Sequence, residues 1–242
     1  MKLTVVGCSP AWPNAGGAHS GYLVEGSRSL LVDCGPGVLG RLRQGSPWPE
    51  VDAIAITHFH LDHWGDLVPW VWGASYLEGR EQLRSRPELR VPPGGRAQLT
   101  HFGELLGFPD MFERVFELRE YEPGLPFELA GFTVTPVRVP HYGLDAYGFR
   151  VTDGTKTLAY SGDSAPSDAL VELARGADLF VCEATLASGG HDAPTRGHLA
   201  LDEAVDTFER SGAKRLLVTH RPGELPVDES LELAYDGLVV SL

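Results

Sequence analysis

The stretch Thr57 to Asp66, T-H-F-H-L-D-H-W-G-D, sets three imidazoles and a carboxylate, His58, His60, Asp62 and His63, within six positions. They directly follow Ala53-Ile54-Ala55-Ile56, an apolar run that reads as a buried strand. On an extended segment alternate side chains share a face, so His58 and His60 point together. Asp62 and His63, where the backbone turns into a helix, face a second centre. Imidazole nitrogens and carboxylate oxygens without thiolate are ligands for divalent cations, and this layout suits two ions side by side. The chain has nine histidines in 242 residues, so three within six positions are no incidental scatter on a polar loop.

Two cations need roughly eight ligands between them if each keeps an open position for solvent or substrate. The motif provides four. His141, Asp163 and His220 are the best remaining candidates, and Asp163 can bridge with one carboxylate oxygen to each ion. One regularity supports them: His58, His141, Asp163, Glu183 and His220 each stand at or just past the end of an apolar strand. Active groups collected on one rim of strand ends are what α/β layered folds offer a ligand.

The elements that must position these residues follow in order. Leu3 to Cys8 reads as a strand that runs into a loop, Trp12 to Gly17, rich in Gly, Asn and Pro. Ser20 to Glu25 and Ser29 to Asp33 form a hairpin, and Val38 to Arg43 a short helix. Asp33 is either a carboxylate that orients a metal-binding histidine or a turn acceptor. After the motif, Trp64, Leu67, Val68, Val71, Trp72 and Tyr76 recur at helical spacing and predict a core-facing stripe. Trp70 falls off that stripe, as a residue lining a pocket or a dimer contact would. Arg80 to Arg90 reads as a solvated charged stretch, with Leu89 to Val91 a short strand, and Ala97 to Leu106 as a helix. Phe127 to Ala130, Phe132 to Val139, Ala146 to Thr152 and Thr157 to Tyr160 alternate as strands between Gly and Asp-Gly turns. Ser167 to Ala174 is a helix and Asp178 to Cys182 a buried strand ending in Glu183. Leu199 to Arg210 is a helix with its acids, Asp202 to Glu209, on a wet face, and Arg215 to Thr219 a strand ending in His220. No repeat or linker interrupts residues 1–242, which predict a single domain.

Composition narrows the partners. Apolar residues make up 43% of the chain, ample for one sizeable core. The formal charge is -13 without a Lys/Arg run, which disfavours long nucleic acid and predicts a small-molecule substrate. Cys8, Cys34 and Cys182 are odd in number, far apart and without a C-x-x-C pair, which argues against disulfides and thiolate zinc and fits a reducing cytoplasm. Val5-Val6-Gly7-Cys8 looks like a lipoprotein cleavage site, yet too few residues precede Cys8 for an apolar h-region. No apolar stretch approaches the roughly 18 residues of a membrane span.

The pattern H-x-H-x-D-H, here His58-Phe59-His60-Leu61-Asp62-His63, resembles that of the metallo-β-lactamase fold superfamily, and the likeness covers nearly the whole chain. Such a likeness implies an α/β architecture: an αββα sandwich of two mixed β-sheets flanked by helices. It assigns His58, His60 and His141 to one ion, Asp62, His63 and His220 to the other, and Asp163 as the bridge. A Glu at position 60 would have suggested the diiron oxidoreductase branch; the histidine favours hydrolysis.

Within the superfamily the chain looks most like the ribonuclease Z-like phosphodiesterases. The segments that carry this are Gly7-Cys8-Ser9, Leu31-Val32-Asp33-Cys34-Gly35, His141-Tyr142-Gly143 through Tyr147-Gly148-Phe149, Tyr160-Ser161-Gly162-Asp163, and Cys182-Glu183-Ala184-Thr185 with Gly197-His198-Leu199. The resemblance maps a Glu and an extra His that act near the leaving group onto Glu183 and His198. His198 as an exposed residue near a helix start is the plainer alternative. Enzymes that process tRNA 3′ ends carry a long arm, usually between the third His and the bridging Asp. Position 163 lies only 22 beyond position 141 here, and strand-like sequence fills the interval.

The implied enzyme is a dinuclear hydrolase that cleaves a small, cyclic or linear, phosphodiester with hydroxide held between two cations. Zinc suits the ligands best, with manganese or iron as alternatives. Asp62 would also orient the water, and His198, oriented by Glu183, would protonate the departing oxygen. Lactone or thioester hydrolysis uses the same seven ligands, tRNA 3′ processing ranks lower, and a non-catalytic scaffold is disfavoured because all seven persist. Relatives often form dimers, so a homodimer is compatible with the sequence.

Overall fold

A computed structural model describes residues 1–46, 48–76, 86–226 and 230–242. Two mixed sheets pack face to face with helices outside each. The first contains β1 (Lys2–Gly7), β2 (Gly21–Glu25), β3 (Ser29–Val32), β4 (Ala53–Ala55), β5 (Glu88–Val91), β6 (Glu117–Glu120) and β13 (Val239–Ser241), in the order β13-β1-β2-β3-β4-β5-β6. The second contains β7 (Phe127–Leu129), β8 (Phe132–Val139), β9 (Ala146–Thr152), β10 (Thr157–Tyr160), β11 (Leu179–Glu183) and β12 (Leu216–Thr219), in the order β12-β11-β10-β9-β8-β7. Helices α1 (Val38–Leu42), α2 (Leu61–Trp64), α3 (Leu67–Tyr76), α4 (Gly95–Leu105) and α5 (Met111–Val115) accompany the first sheet. Helices α6 (Asp168–Ala174) and α7 (Leu201–Ser211) accompany the second. This is the αββα sandwich of the metallo-β-lactamase fold.

Side-chain alternation builds the layers. In β4, Ala53 and Ala55 face the inter-sheet core while Ile54 faces the core under the helices. In β11, Leu179 and Val181 face inward and Phe180 and Cys182 face α6 and α7. Strands covered on both sides read as continuous apolar runs, which is why these two are legible without a period-2 pattern. Because β1 runs antiparallel to β2, β2 antiparallel to β3, and β3 parallel to β4, the exits of β1, β3 and β4 share one rim. The parallel β10, β11 and β12 contribute their exits likewise.

Several expectations change. Trp70 lines neither a pocket nor a surface: it is 1% exposed, edge-on to Trp48 at 5.8 Å and near Phe116 at 6.2 Å. Tyr76, expected in the core stripe, is 75% exposed. The cause is a phase break: α2 ends at Trp64 and α3 begins at Leu67, so the helical period cannot be carried across Gly65 and Asp66. The buried face of α3 is Leu67, Trp70 and Val71. The charged stretch 80–90 is half informative: 80–85 lie outside the described residues, and 88–91 form β5. On α7, Glu203 does not sit on the wet face with its neighbours but pairs with Arg196 at 2.7 Å.

Trp70→Ala removes a fully buried aromatic ring and should lower unfolding stability by about 3–5 kcal/mol in urea titrations. A change within error would contradict its place in the core.

Candidate metal centre

The motif leaves β4 and enters α2 as predicted. His58 lies past the strand after a bend at Thr57, His60 is the N-cap of α2, and Asp62 and His63 occupy its first turn. His141 follows β8, Asp163 follows β10 and His220 follows β12. The first sheet supplies four of these side chains and the second sheet three.

They converge in two groups. His58, His60, His141 and Asp163 present ligand atoms within 4.8 Å of one another, as do Asp62, His63, Asp163 and His220. Asp163 belongs to both and divides its oxygens. Oδ2 lies 3.8 Å from His58 Nε2 and 3.9 Å from His141 Nε2; Oδ1 lies 3.2 Å from His63 Nε2 and 3.6 Å from His220 Nε2. His60 Nδ1 is 2.9 Å from His141 Nε2, and Asp62 Oδ2 is 3.2 Å from His220 Nε2. Ligands about 2.0–2.1 Å from a tetrahedral zinc are roughly 3.3 Å apart, so these spacings leave room for a cation inside each group.

Tautomers sharpen the fit. A carboxylate only accepts, so His63 donates its Nδ1–H to Asp33 Oδ2 at 2.7 Å and turns a bare Nε2 inward. His141 donates Nδ1–H to the Gly197 carbonyl at 2.7 Å. Two threonines act as relays. Thr57 Oγ1 donates to Asp33 at 3.0 Å and so takes the Nδ1–H of His58 at 3.1 Å. Thr185 Oγ1 donates to Glu183 Oε2 at 2.8 Å and takes the Nδ1–H of His220 at 2.8 Å. What remains inside is a set of inward-facing ring nitrogens and carboxylate oxygens. His58 Nε2, His63 Nε2 and Asp163 Oδ1 are buried with no hydrogen-bond partner. Such atoms are costly unless a cation satisfies them.

Electrostatics point the same way. Burial, then the neighbouring His63, hold the His58 pKa well below the usual range for histidine. Burial also opposes charge on His63, yet Asp163, Asp33 and Asp62 outweigh it and raise its pKa well above normal. A site that draws a proton onto an inward ring nitrogen draws a cation there equally.

Asp33 is more than a turn acceptor. Besides His63 and Thr57 Oγ1 it accepts from Thr57 N at 2.8 Å and from the Tyr160 hydroxyl at 3.1 Å, while its backbone sits at φ 59°. Gly35 beside it is obligatory, because a Cβ there would fall 1.9 Å from the Asp62 carbonyl.

Next to the second group stands a buried pair, His198 and Glu183. His198 is 9% exposed, which overturns the plainer reading of a surface residue. Its Nδ1 lies 2.9 Å from Glu183 Oε1, and its ring stacks on His220 at 5.7 Å and 18°. Glu183 also accepts from Ser164 N, Thr185 N and Thr185 Oγ1. Burial disfavours the charged imidazole, but Glu183 and then Asp163 and Asp192 outweigh it and raise the His198 pKa to about 9. Thr57, Thr185, Tyr160 and the Gly197 carbonyl orient these residues, and none carries a motif signal beyond lying beside one.

An αββα sandwich with a His/Asp cluster on its strand-end rim is the architecture of a metallo-hydrolase. The chain belongs to the β-lactamase superfamily: residues 28–221 match the family model described as Beta-lactamase superfamily domain. It is 33% identical over 227 residues to the probable metallo-hydrolase YhfI of Bacillus subtilis, covering 92% of this chain and 87% of that one. The crystal structure of YhfI superposes with a TM-score of 0.84 at 27% identity, over 99% of both chains. Ribonuclease Z of Mycobacterium bovis is 27% identical over 243 residues, covering 91% of this chain and 85% of its own length. The human short-form tRNase Z structure matches 100% of this chain and 99% of its own with a TM-score of 0.77 at 25% identity.

Asp33→Asn places an amide against His63 Nδ1 and disturbs both the His63 and the Thr57 contacts. Metal affinity, measured by chelator competition, should fall about 10–100-fold. Unchanged affinity would assign Asp33 to the turn alone.

Proposed function

We propose that the protein is a dinuclear metal-dependent phosphodiesterase acting on a small phosphodiester, cyclic or linear. The observation that carries this reading is the buried His198–Glu183 pair beside the two His/Asp groups. Phosphodiester cleavage expels an alkoxide, a strong base that departs more readily when a positioned acid protonates it. His198, with Nδ1 committed to Glu183, has Nε2 available for that proton.

In this reading His58, His60 and His141 hold one ion, Asp62, His63 and His220 the other, and Asp163 lies between them. Imidazole and carboxylate ligands without thiolate suit zinc, with manganese or iron next. When bound, the cations supply Lewis acidity to the phosphoryl oxygens and a water of pKa about 7. Asp62, with Oδ2 turned toward Nε2 of His220 at 3.2 Å and of His63 at 3.5 Å as a ligand atom, would have its second oxygen for orienting that water. Glu183 fixes the rotation of the His198 ring.

A small substrate is supported by what fills the chain between His141 and Asp163. That interval is taken up by β9, the Asp153-Gly154 turn and β10, which leaves no arm there for a tRNA elbow. The net charge of -13 also disfavours a polyanion. A small phosphodiester, met at the cation site itself, avoids both obstacles. Lactone or thioester hydrolysis is the second reading, because the same seven side chains serve it.

Activity on a chromogenic phosphodiester should exceed that on a thioester and a lactone; the reverse order would transfer the assignment to ester chemistry. His60→Ala should lose one ion per chain by elemental analysis, and hydrolysis with it, whereas full metal content would refute its assignment as a ligand. His198→Ala should retain both ions and lose at least about tenfold in turnover, the lower reach of a general-acid contribution. Wild-type turnover would remove it from the mechanism.

A further inference from the structure

His198 is held at two levels. Glu183 fixes the ring, but a bond to one ring nitrogen leaves the position of the backbone open. The backbone is fixed by Asp192, a half-buried residue outside both His/Asp groups. Asp192 Oδ2 accepts from Gly197 N at 2.7 Å and from His198 N at 3.1 Å. Its Oδ1 accepts from the Tyr142 hydroxyl at 2.8 Å and from Ala193 N at 2.7 Å.

Two of those anchor points lead directly into the site. The Gly197 carbonyl is the acceptor that sets the tautomer of His141. The Tyr142 ring packs onto the Gly197 backbone so closely that a Cβ there would lie 2.3 Å from it. The same ring meets His141 at 4.9 Å and His198 edge-on at 5.5 Å. Tyr142 itself has φ 48°, a left-handed conformation that a bulky residue adopts only when its surroundings impose it. Its backbone N–H is tied to the Arg196 carbonyl at 3.2 Å. On the other side of the turn Arg196 pairs bidentately with Glu203 at 2.7 Å and donates to the His198 carbonyl at 3.0 Å. The Gly197–His198 turn is therefore clamped from both sides, and both reach the residue after His141: Asp192 through the Tyr142 hydroxyl and the Arg196 carbonyl through the Tyr142 N–H.

We propose that Asp192 is a positioning residue that fixes the Gly197–His198 backbone and the Tyr142 ring together, and so sets where His198 presents Nε2 to the departing oxygen. The inference rests on the phosphodiesterase reading above. A carboxylate that merely ties down a surface turn would slow all substrates alike. One that places a proton donor matters most where the proton is needed, and a misplacement of about 1 Å can cost on the order of 10²-fold.

The test compares two phosphodiesters in the metal-loaded protein, one expelling p-nitrophenolate, which leaves without help, and one expelling an alkoxide. Asp192→Ala should slow the alkoxide substrate at least about 30-fold and the nitrophenyl substrate less than about 3-fold, with metal content unchanged. Asp192→Asn, which keeps one oxygen to accept from the turn, should fall between it and wild type. Tyr142→Phe, which spares the bonds to Gly197 and His198, should lose less than Asp192→Ala on the alkoxide substrate. Imidazole nitrogen NMR supplies a readout apart from activity: the His198 signals should shift or broaden in Asp192→Ala while those of His58 and His63 stay in place. Equal losses on both leaving groups, loss of an ion, or an unmoved His198 signal would each overturn the proposal. His198→Ala, run in parallel, separates the two ideas. If it shows no leaving-group dependence the proton-donor reading falls, and if it does while Asp192→Ala does not, the Asp192 proposal falls alone.

Discussion

The arrangement depends on ring nitrogens and carboxylate oxygens crowded against one another in a buried space. His58 Nε2, His63 Nε2 and Asp163 Oδ1 are buried and unpartnered, and His60 Nδ1 and His141 Nε2 approach to 2.9 Å. Left to itself, such a cluster would relax by rotating rings outward or drawing in water. It holds because each ring is anchored from behind, His63 by Asp33, His58 by Thr57, His141 by the Gly197 carbonyl and His220 by Thr185. Backbone strain collects at the same points. Of the four described non-glycine residues with positive φ, Asp33, Tyr142 and His220 belong to this site or adjoin it, and only Ala130 lies in a remote turn.

Convergence also requires that two sheets keep their relative position to a fraction of an ångström, since each contributes part of the cluster. Apolar packing alone permits sliding, whereas buried hydroxyls do not. Tyr22 of the first sheet bonds Thr219 Oγ1 of the second at 2.6 Å, one residue before His220. Tyr160 of the second bonds Asp33 of the first at 3.1 Å, and the two tyrosine rings lie 4.7 Å apart. Tyr121, just past β6, reaches the Ile56 carbonyl at 3.0 Å immediately before the motif, and packs edge-on against Tyr147 and Phe149 of the second sheet. Two phenolic hydroxyls thus bond across the sheets, and the ring of a third phenol packs across them, close to the strand exits that carry His58, Asp33 and His220.

How much of this could be read from the residues depends on whether the information is local. The motif is local, and strands such as β4 and β11 announce themselves as short apolar runs ending in a polar residue. Strand ends then indicate a common rim without any knowledge of sheet order. The short elements are not legible: β13, three residues long, exists because it pairs with β1, and β6 is a mostly charged edge strand that forms against β5. The buried face of α3 is illegible for another reason, since apolar residues surround it and only the break after Trp64 sets its phase. Thr57, Thr185 and Tyr160 lie within motif segments that do not say what they do, and Tyr22 and Tyr121 carry no pattern at all. Their role comes from partners between 1 and 197 positions away, a relation only the folded chain reveals.

The two sides of the site are built on different materials, and that division bears on selectivity. His58, His141, Asp163 and His220 stand past the ends of core strands, His63 stands in α2, and all five are almost wholly buried, so their geometry is set by the packing of the whole sandwich. His198 enters instead from a connection between β11 and α7, held in place by Glu183, Asp192 and Arg196 rather than by a strand. Residues 193–195 of that connection are exposed, so changes there reach solvent before they reach the core. Substitutions within the cluster would disturb both sheets at once, whereas the exposed positions 193–195 offer room for change as long as the Gly197 carbonyl keeps its bond to His141. In the proposed reading the His/Asp groups are the constrained part of the site, and the connection that carries His198 is where a common scaffold can be fitted to different substrates.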